Sequence, residues 1–233
     1  MSALTVGANL PFEAILFDCD GVLVESEAIT NGLLCLMLNE RGWALSPEDC
    51  VHHFLGKAVR DNQALIEQHT GQPLTDEWMR EFRARRDAAL LEHMTVVDGI
   101  HEALAQLAVR YGTRMAVASG ADRGKVELML RKVGLMRYFE GRIFSGHETP
   151  RSKPFPDVYL AAAAALSADP ARCVVIEDTP TGVKAGIAAG ATVLGYAPTD
   201  PIRMAMHGDG ADLLAHGAKC VFRDMRELAA LLT

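Results

Sequence analysis

Four short apolar runs along the chain indicate the strands of a buried sheet. They cover Ala14–Phe17 and residues 115–118, 173–176 and 192–194. Uninterrupted apolar runs of this length are typical of parallel strands that are covered on both faces. Helical periodicity is found over residues 100–110, 123–133, 158–166 and 182–189. Strands that alternate with helices in this way predict an α/β fold with a doubly wound, mostly parallel sheet.

The segment after the first apolar run breaks the alternation, because it shows helical periodicity and no convincing strand. Ser46 and Pro47 supply an N-cap and a proline at the first helical position, and Thr75 begins another helix. An all-helical block inserted after the first strand of an α/β protein indicates a cap domain. The expected division is a Rossmann-like core of residues 1–22 and 95–233, and a helical cap of residues 23–94.

Composition limits the classes of protein to consider. The chain has 233 residues, 49% of them hydrophobic and 23% charged, as expected of a folded soluble protein. Its net charge of −7 argues against broad binding to nucleic acid or to anionic membranes. The sequence has no apolar run long enough for a transmembrane helix, and its first ten residues do not resemble a signal peptide. Five scattered cysteines without a CxxC pair predict free thiols in a reducing cytoplasm.

Polar and charged residues that could act in catalysis or binding follow the predicted strands. In open parallel sheets, ligands bind beyond the carboxyl ends of the strands, so these residues are expected at one rim. Each has a plainer interpretation when taken alone, such as a turn, a helix cap or a solvated loop. The set is Asp18, Asp20, Ser119, Gly120, Lys153, Glu177 and Asp178.

Four carboxylates at one rim predict a bound cation. Two unit charges about 4 Å apart interact by about 4 kcal/mol at an effective dielectric constant of about 20, so the carboxylates repel one another strongly. Mg²⁺ is a hard ion that prefers oxygen ligands and often binds substrate phosphate as well. The sequence therefore predicts a magnesium site formed by Asp18, Asp20, Glu177 and Asp178.

Motifs in the same order identify a resemblance to a known family. Residues 17–27 read FDCDGVLVESE and resemble the first motif of the haloacid dehalogenase superfamily. Ser119, Lys153 in a KPFPD segment, and residues 177–182, which read EDTPTG, resemble its second, third and fourth motifs. The resemblance extends over residues 15–196 and is strongest to capped phosphatases and to the β-phosphoglucomutase-like subfamily.

The resemblance implies a role for each motif residue. Asp18 would be the nucleophile and form an aspartyl-phosphate intermediate. Asp20 would act as general acid and base, and its backbone carbonyl would bind the metal. Ser119, with its neighbour Gly120, and Lys153 would hold the phosphoryl group. Asp178 would be a metal ligand, with Glu177 in the same acidic group.

The sequence is compatible with several functions. The favoured one is the hydrolysis of a small phosphorylated metabolite, such as a sugar phosphate or an organic acid phosphate, by a monomer or homodimer. A β-phosphoglucomutase-like mutase is the main alternative, although Thr30 stands where that enzyme has a histidine. Dehalogenation is disfavoured by the presence of Asp20, because dehalogenases of this superfamily lack that aspartate. A non-catalytic binding protein on the same fold is disfavoured because no catalytic group is missing.

Basic residues of the expected cap could contribute to substrate binding. Lys57 and Arg60 are expected to reach the substrate when the cap closes over the core. A second group forms a stripe near the end of the cap. We interpret that stripe as a solvated helix face, from which one arginine could point at the substrate. Its members are Arg80, Arg83, Arg85 and Arg86.

Overall fold

The computed structural model describes residues 11–55 and 57–232, except for the side chain of Ile202. Six parallel strands form its main sheet, in the spatial order β5-β4-β1-β6-β7-β8. A separate pair of short strands, β2 and β3, is antiparallel. The strands are β1 (Ala14–Phe17), β2 (Val24–Glu25), β3 (Thr95–Val96), β4 (Met115–Ser119), β5 (Ile143–Ser145), β6 (Cys173–Glu177), β7 (Thr192–Tyr196) and β8 (Cys220–Phe222).

Helices cover both faces of the main sheet. Ile15 and Phe17 of β1 belong to one hydrophobic cluster, whereas Ala14 and Leu16 belong to another, as expected when successive residues of a strand point to opposite faces. The predicted doubly wound α/β fold is therefore confirmed. The helices after β3 are α5 (Ile100–Tyr111), α6 (Arg123–Lys132), α7 (Met136–Phe139), α8 (Asp157–Ala165), α9 (Pro180–Ala188), α10 (Pro201–His207), α11 (Ala211–Ala215) and α12 (Leu228–Leu231).

The sequence patterns missed two strands of the main sheet, β5 and β8. Each has three residues, and a run that short carries no measurable periodicity. The predicted start of α9 was also two residues late. Thr179 caps this helix by accepting a hydrogen bond from the Gly182 N–H at 3.1 Å, which places Pro180 at the first helical position.

A helical segment lies between β2 and β3. It contains α1 (Glu27–Glu40), α2 (Pro47–Phe54), α3 (Gln63–Thr70), α4 (Asp76–His93) and a 3₁₀ turn at Val59–Asn62. The predicted N-caps of α2 and α4 are confirmed, because the hydroxyls of Ser46 and Thr75 accept hydrogen bonds from the N–H groups of Asp49 and Trp78. Within residues 11–55 and 57–232, no helix combines the length and the apolar character needed to cross a membrane.

The helical segment has a hydrophobic cluster of its own. Its buried members extend from Leu34 to Phe82 and include Trp43, Phe54 and Ile66. The β2–β3 ribbon pairs Val24 with Val96 and so joins the two ends of the segment. The sequence analysis did not predict this ribbon, since each of its strands has only two residues.

Candidate active site

The motif residues meet at the carboxyl ends of three adjacent strands. Asp18 follows β1, Ser119 ends β4, and Glu177 ends β6, with Asp178 directly after it. Because the strands are parallel and lie in the order β4-β1-β6, these ends share one edge of the sheet. A cavity of about 530 Å³ separates them from the helical segment. Eight predicted residues line the cavity, from the strand ends or from the helical segment, whereas Asp178 does not line it. The eight are Asp18, Asp20, Ser119, Gly120, Lys153, Glu177, Lys57 and Arg60.

Lys153 forms the central ionic contact of the site. Its Nζ donates to Asp18 Oδ1 at 2.5 Å and to Glu177 Oε1 at 2.7 Å. All three side chains are at least nine-tenths buried. Burial disfavours the ammonium form, but the charges of Asp18 and Glu177 outweigh this effect and raise the pKa of Lys153 well above its usual value. The lysine is therefore a permanent cation next to the Asp18 carboxylate.

Both oxygens of Glu177 already accept hydrogen bonds from the protein. Oε1 also accepts from the Tyr159 hydroxyl at 2.8 Å. Oε2 accepts from the backbone N–H groups of Asp178 and Thr179 and from the Thr179 hydroxyl, at 3.0, 3.2 and 3.1 Å. This set of donors suits a residue that positions Lys153. A metal-ligand role for Glu177 stays a prediction.

Asp178 differs from Glu177 because one of its oxygens has no partner. Arg203 Nη2 donates to Oδ2 at 2.8 Å, whereas Oδ1 is buried and accepts no hydrogen bond from any described residue. Carboxylate oxygens of Asp18, Glu177 and Asp178 all lie within 4.8 Å of one another. A free buried oxygen in an all-carboxylate group fits a hard cation. The acidic cluster can therefore hold a metal ion.

The acidic cluster also changes the pKa values of its own members. Burial raises the pKa of Asp18 well above its usual value, and the negative charges of Glu177 and Asp178 add to this effect against the opposing charge of Lys153. Burial likewise raises the pKa of Asp178, although Arg203 opposes the shift. Burial and the neighbouring negative charges together therefore disfavour the ionised forms of Asp18 and Asp178.

Asp20 is held by donors that differ from those of Asp18. Its Oδ1 accepts hydrogen bonds from the Ser26 hydroxyl and from Lys125 Nζ, the latter at 2.5 Å. Burial alone would raise the pKa of Asp20, but the charge and hydrogen bond of Lys125 and the hydrogen bond of Ser26 outweigh burial and lower it. Asp20 is thus kept ionised and fixed in position.

The cap-side residues differ from one another in their partners. Lys57 Nζ donates to the His53 carbonyl at 2.9 Å, and Arg60 forms an exposed ion pair with Asp76. The interpretation of the arginine stripe as a solvated face is wrong for Arg86. That side chain is buried, and its Nη1 donates to Asp122 Oδ2 at 2.9 Å, which links α4 to the N-terminus of α6.

Sequence reasoning missed three buried residues that organise the site: Lys125, Tyr159 and Arg203. Lys125 could have been suspected, because it lies in the first turn of the helix after the second motif. Arg203 gave no signal, since it follows no motif. It donates to the Gly21 carbonyl and to Glu25 as well as to Asp178.

Comparison with known proteins agrees with this geometry. Residues 12–190 match the family of haloacid dehalogenase-like hydrolases. The 6-phosphogluconate phosphatase of Escherichia coli (strain K12) is 29% identical over 190 residues, which cover 81% of this chain and 84% of that enzyme. Hexitol phosphatase B of the same strain is 30% identical over 178 residues, covering 76% and 79%.

A solved structure extends the similarity over nearly the whole chain. It is a HAD family hydrolase from Deinococcus radiodurans R1 with bound phosphate and sodium, 37% identical, with a TM-score of 0.73 and coverage of 96% of this chain and 98% of that one. The chain belongs to the haloacid dehalogenase-like hydrolase family. The predictions of the family and of an enzyme related to phosphatases are confirmed.

Replacing Gly182 tests how tightly Glu177 is held. A Cβ on Gly182 would lie 1.6 Å from Glu177 Oε1, so Gly182→Ala must displace that buried carboxylate. We expect the free energy of unfolding to fall by about 1–3 kcal/mol, as for an overpacked core. Gly32→Ala is the matched control, because a Cβ there meets no atom within 4 Å, and it should stabilise by about 0.5–1 kcal/mol. Chemical denaturation measures both, and equal stability of the two variants would contradict the prediction.

Proposed function

We propose that the chain is a Mg²⁺-dependent phosphatase that hydrolyses a small phosphorylated metabolite, a sugar phosphate or an organic acid phosphate. The observation that carries the proposal is the Asp18 carboxylate, which accepts from Lys153 at 2.5 Å and lines the same cavity as Ser119. The phosphatases of 6-phosphogluconate and of hexitol phosphates among the relatives support this substrate class. The cavity volume is in the usual range for sites that bind small molecules.

In the first proposed step, Asp18 attacks phosphorus. An Asp18 carboxylate oxygen forms a bond to phosphorus while the ester oxygen leaves with its electron pair and takes a proton from Asp20. The products are the free alcohol and an aspartyl phosphate. Lys153 and the Ser119 hydroxyl would hold the phosphoryl oxygens. Ser119 Oγ accepts the Ala121 N–H at 3.0 Å, which leaves its own proton available to a phosphate oxygen.

In the second step, water attacks the aspartyl phosphate. Asp20 takes a proton from the water as its oxygen bonds to phosphorus, and the Asp18 carboxylate leaves. This releases inorganic phosphate and restores both aspartates. Ser26 and Lys125 lower the pKa of Asp20, which favours the ionised form that accepts this proton. For the first step Asp20 must carry a proton, and the negative charge of a bound phosphate ester beside it would raise its pKa and favour that form.

The predicted magnesium ion would be held by Asp18, Asp178 and the backbone carbonyl of Asp20. When bound, it would neutralise negative charge on the phosphoryl group. The unpartnered Oδ1 of Asp178 supports this assignment.

We also propose that residues 23–94 act as a cap on a core of residues 1–22 and 95–233. The separate hydrophobic cluster of the helical segment supports this division. Residues 1–10 lie outside the described residues. All five cysteines are free thiols, which supports the expected cytoplasmic location. A monomeric or homodimeric state is likewise part of the proposal.

The variant Asp18→Asn tests the nucleophile. The amide has nearly the same shape but cannot attack phosphorus, so phosphate release should fall at least about 1,000-fold while the variant stays folded. Asp212→Asn, an exposed aspartate, is the control and should keep full activity. The measurement is phosphate release from a panel of sugar phosphates, with circular dichroism to verify folding. Substantial turnover by an undeamidated Asp18→Asn sample would remove Asp18 from this role.

Removal of divalent metal tests the acidic cluster. Excess chelator should abolish phosphate release, and added Mg²⁺ should restore it. Ca²⁺ should restore little, because its longer and looser coordination would misplace the phosphoryl group. Asp178→Asn should raise the Mg²⁺ concentration for half-maximal activity at least about tenfold. Full activity in excess chelator would contradict the proposal.

Incubation with β-glucose 1-phosphate and a trace of the 1,6-bisphosphate separates the phosphatase from the mutase. Thr30 lines the cavity and has no imidazole, so we expect water to be the phosphoryl acceptor. Phosphate release should therefore accompany any loss of substrate. Rapid formation of glucose 6-phosphate without matching phosphate release would favour the mutase.

A further inference from the structure

One cationic side chain that lines the cavity has no partner among the described residues. Six lysines and arginines line the cavity, and five of them contact the acceptors described above: Lys57, Arg60, Arg86, Lys125 and Lys153. Arg83 also lines the cavity and is half-buried, but it makes no hydrogen bond or ion pair with any described residue. A guanidinium in this position has donors available for a ligand.

The position of Arg83 is set by one face of α4. Met79, Phe82, Arg83 and Arg86 all line the cavity, and their spacing of three and four residues places them on the same side of the helix. Arg86 fixes this face to the core through Asp122. Arg83 is three residues before Arg86, about 4.5 Å further along the helix axis and away from that anchor.

The strand-end side and the helical side of the cavity therefore differ in their cations. Lys153 stands at the strand ends, where the phosphate ester would bind, and it is already neutralised by Asp18 and Glu177. Arg83 stands on the opposite, helical wall. Asn31 and Asn62 line the cavity as well and could bind hydroxyl groups of a substrate. A polyhydroxylated chain with a negative group at each end matches this distribution.

We propose that Arg83 binds a carboxylate of the substrate, at the end opposite to the phosphate ester, so that the enzyme prefers phosphorylated sugar acids to neutral sugar phosphates. This inference rests on the proposed phosphatase function. The planar guanidinium can donate two parallel hydrogen bonds to a carboxylate. Arg60 and Arg86 have acidic partners, whereas Arg83 is the guanidinium of the cavity with none among the described residues, and its single fork matches the two oxygens of one carboxylate.

Two other carboxylates that line the cavity, those of Asp61 and Glu27, limit the preference without cancelling it. Asp61 lines the cavity but is exposed, so solvent screens its charge. Glu27 also lines it and lies 2.6 Å from His207 Nε2. Neither carboxylate forms an ion pair with Arg83 among the described residues.

The test compares two substrates that differ at one carbon. In 6-phosphogluconate that carbon is a carboxylate, and in glucitol 6-phosphate it is a hydroxymethyl group. We expect the wild-type enzyme to have the higher kcat/KM for the acid. Arg83→Gln should lower the ratio of the two kcat/KM values by about 10- to 100-fold, the usual effect of losing a hydrogen bond to a charged group. Arg83→Lys should recover part of the wild-type kcat/KM ratio, because lysine keeps the positive charge but cannot donate two parallel hydrogen bonds.

A control variant and two possible outcomes separate failure of the Arg83 inference from failure of the proposed phosphatase function. Arg80→Gln removes an exposed arginine from the same helix and should keep the wild-type ratio. If Arg83→Gln also keeps it, Arg83 is merely solvated and the inference is overturned while phosphatase activity stands. If the wild-type enzyme releases phosphate from neither substrate, nor from p-nitrophenyl phosphate, the proposed function fails and the inference fails with it.

Discussion

The bridge from Lys153 to Asp18 and Glu177 is the interaction on which the site depends. Two carboxylates at adjacent strand ends would repel each other strongly in a buried setting, and the ammonium between them offsets that cost. The lysine comes from the loop before α8, so the bridge also fixes that loop against β1 and β6. The bridge places a permanent positive charge next to the carboxylate that we propose as the nucleophile.

Glu177 and Asp178 are neighbours in sequence, yet the fold gives them different surroundings. Glu177 ends β6 and accepts from Lys153, Tyr159, Thr179 and two backbone amides, so its oxygens are saturated. Among the described residues, Asp178 has only Arg203 on one oxygen, and its other oxygen accepts no hydrogen bond. A saturated carboxylate is suited to positioning a cation of the protein, whereas an unsaturated one is suited to binding a metal. The two acids can therefore have separate roles, although the sequence presents them as a pair.

The parts of the site that the sequence predicts are those set by strand order. Asp18, Ser119 and Glu177 could be placed at one edge because parallel strands end on the same side of a sheet. Tyr159 and Arg203 could not, since their contacts depend on how helices pack over that edge, and no local pattern encodes this packing. Lys125 had one signal, its position in the first turn of the helix after the second motif. Arg86 was misread for a related reason. Four arginines in seven positions indicate a charged segment, but the side of α4 that packs inward is decided by the hydrophobic cluster of the helical segment.

Charge balance indicates what the site requires for the proposed reaction. Asp18, Asp20, Glu177 and Asp178 face three buried cations, Lys153, Lys125 and Arg203, which leaves the group one positive charge short. The raised pKa values of Asp18 and Asp178 reflect this deficit. A phosphate ester would add further negative charge, and a nucleophilic Asp18 must be ionised at the same time. The protein's own cations cannot meet both demands, so the arrangement calls for an additional positive charge at the free oxygen of Asp178. A divalent ion bound there would supply it, and this is the physical reason to expect metal dependence from this chain's own residues.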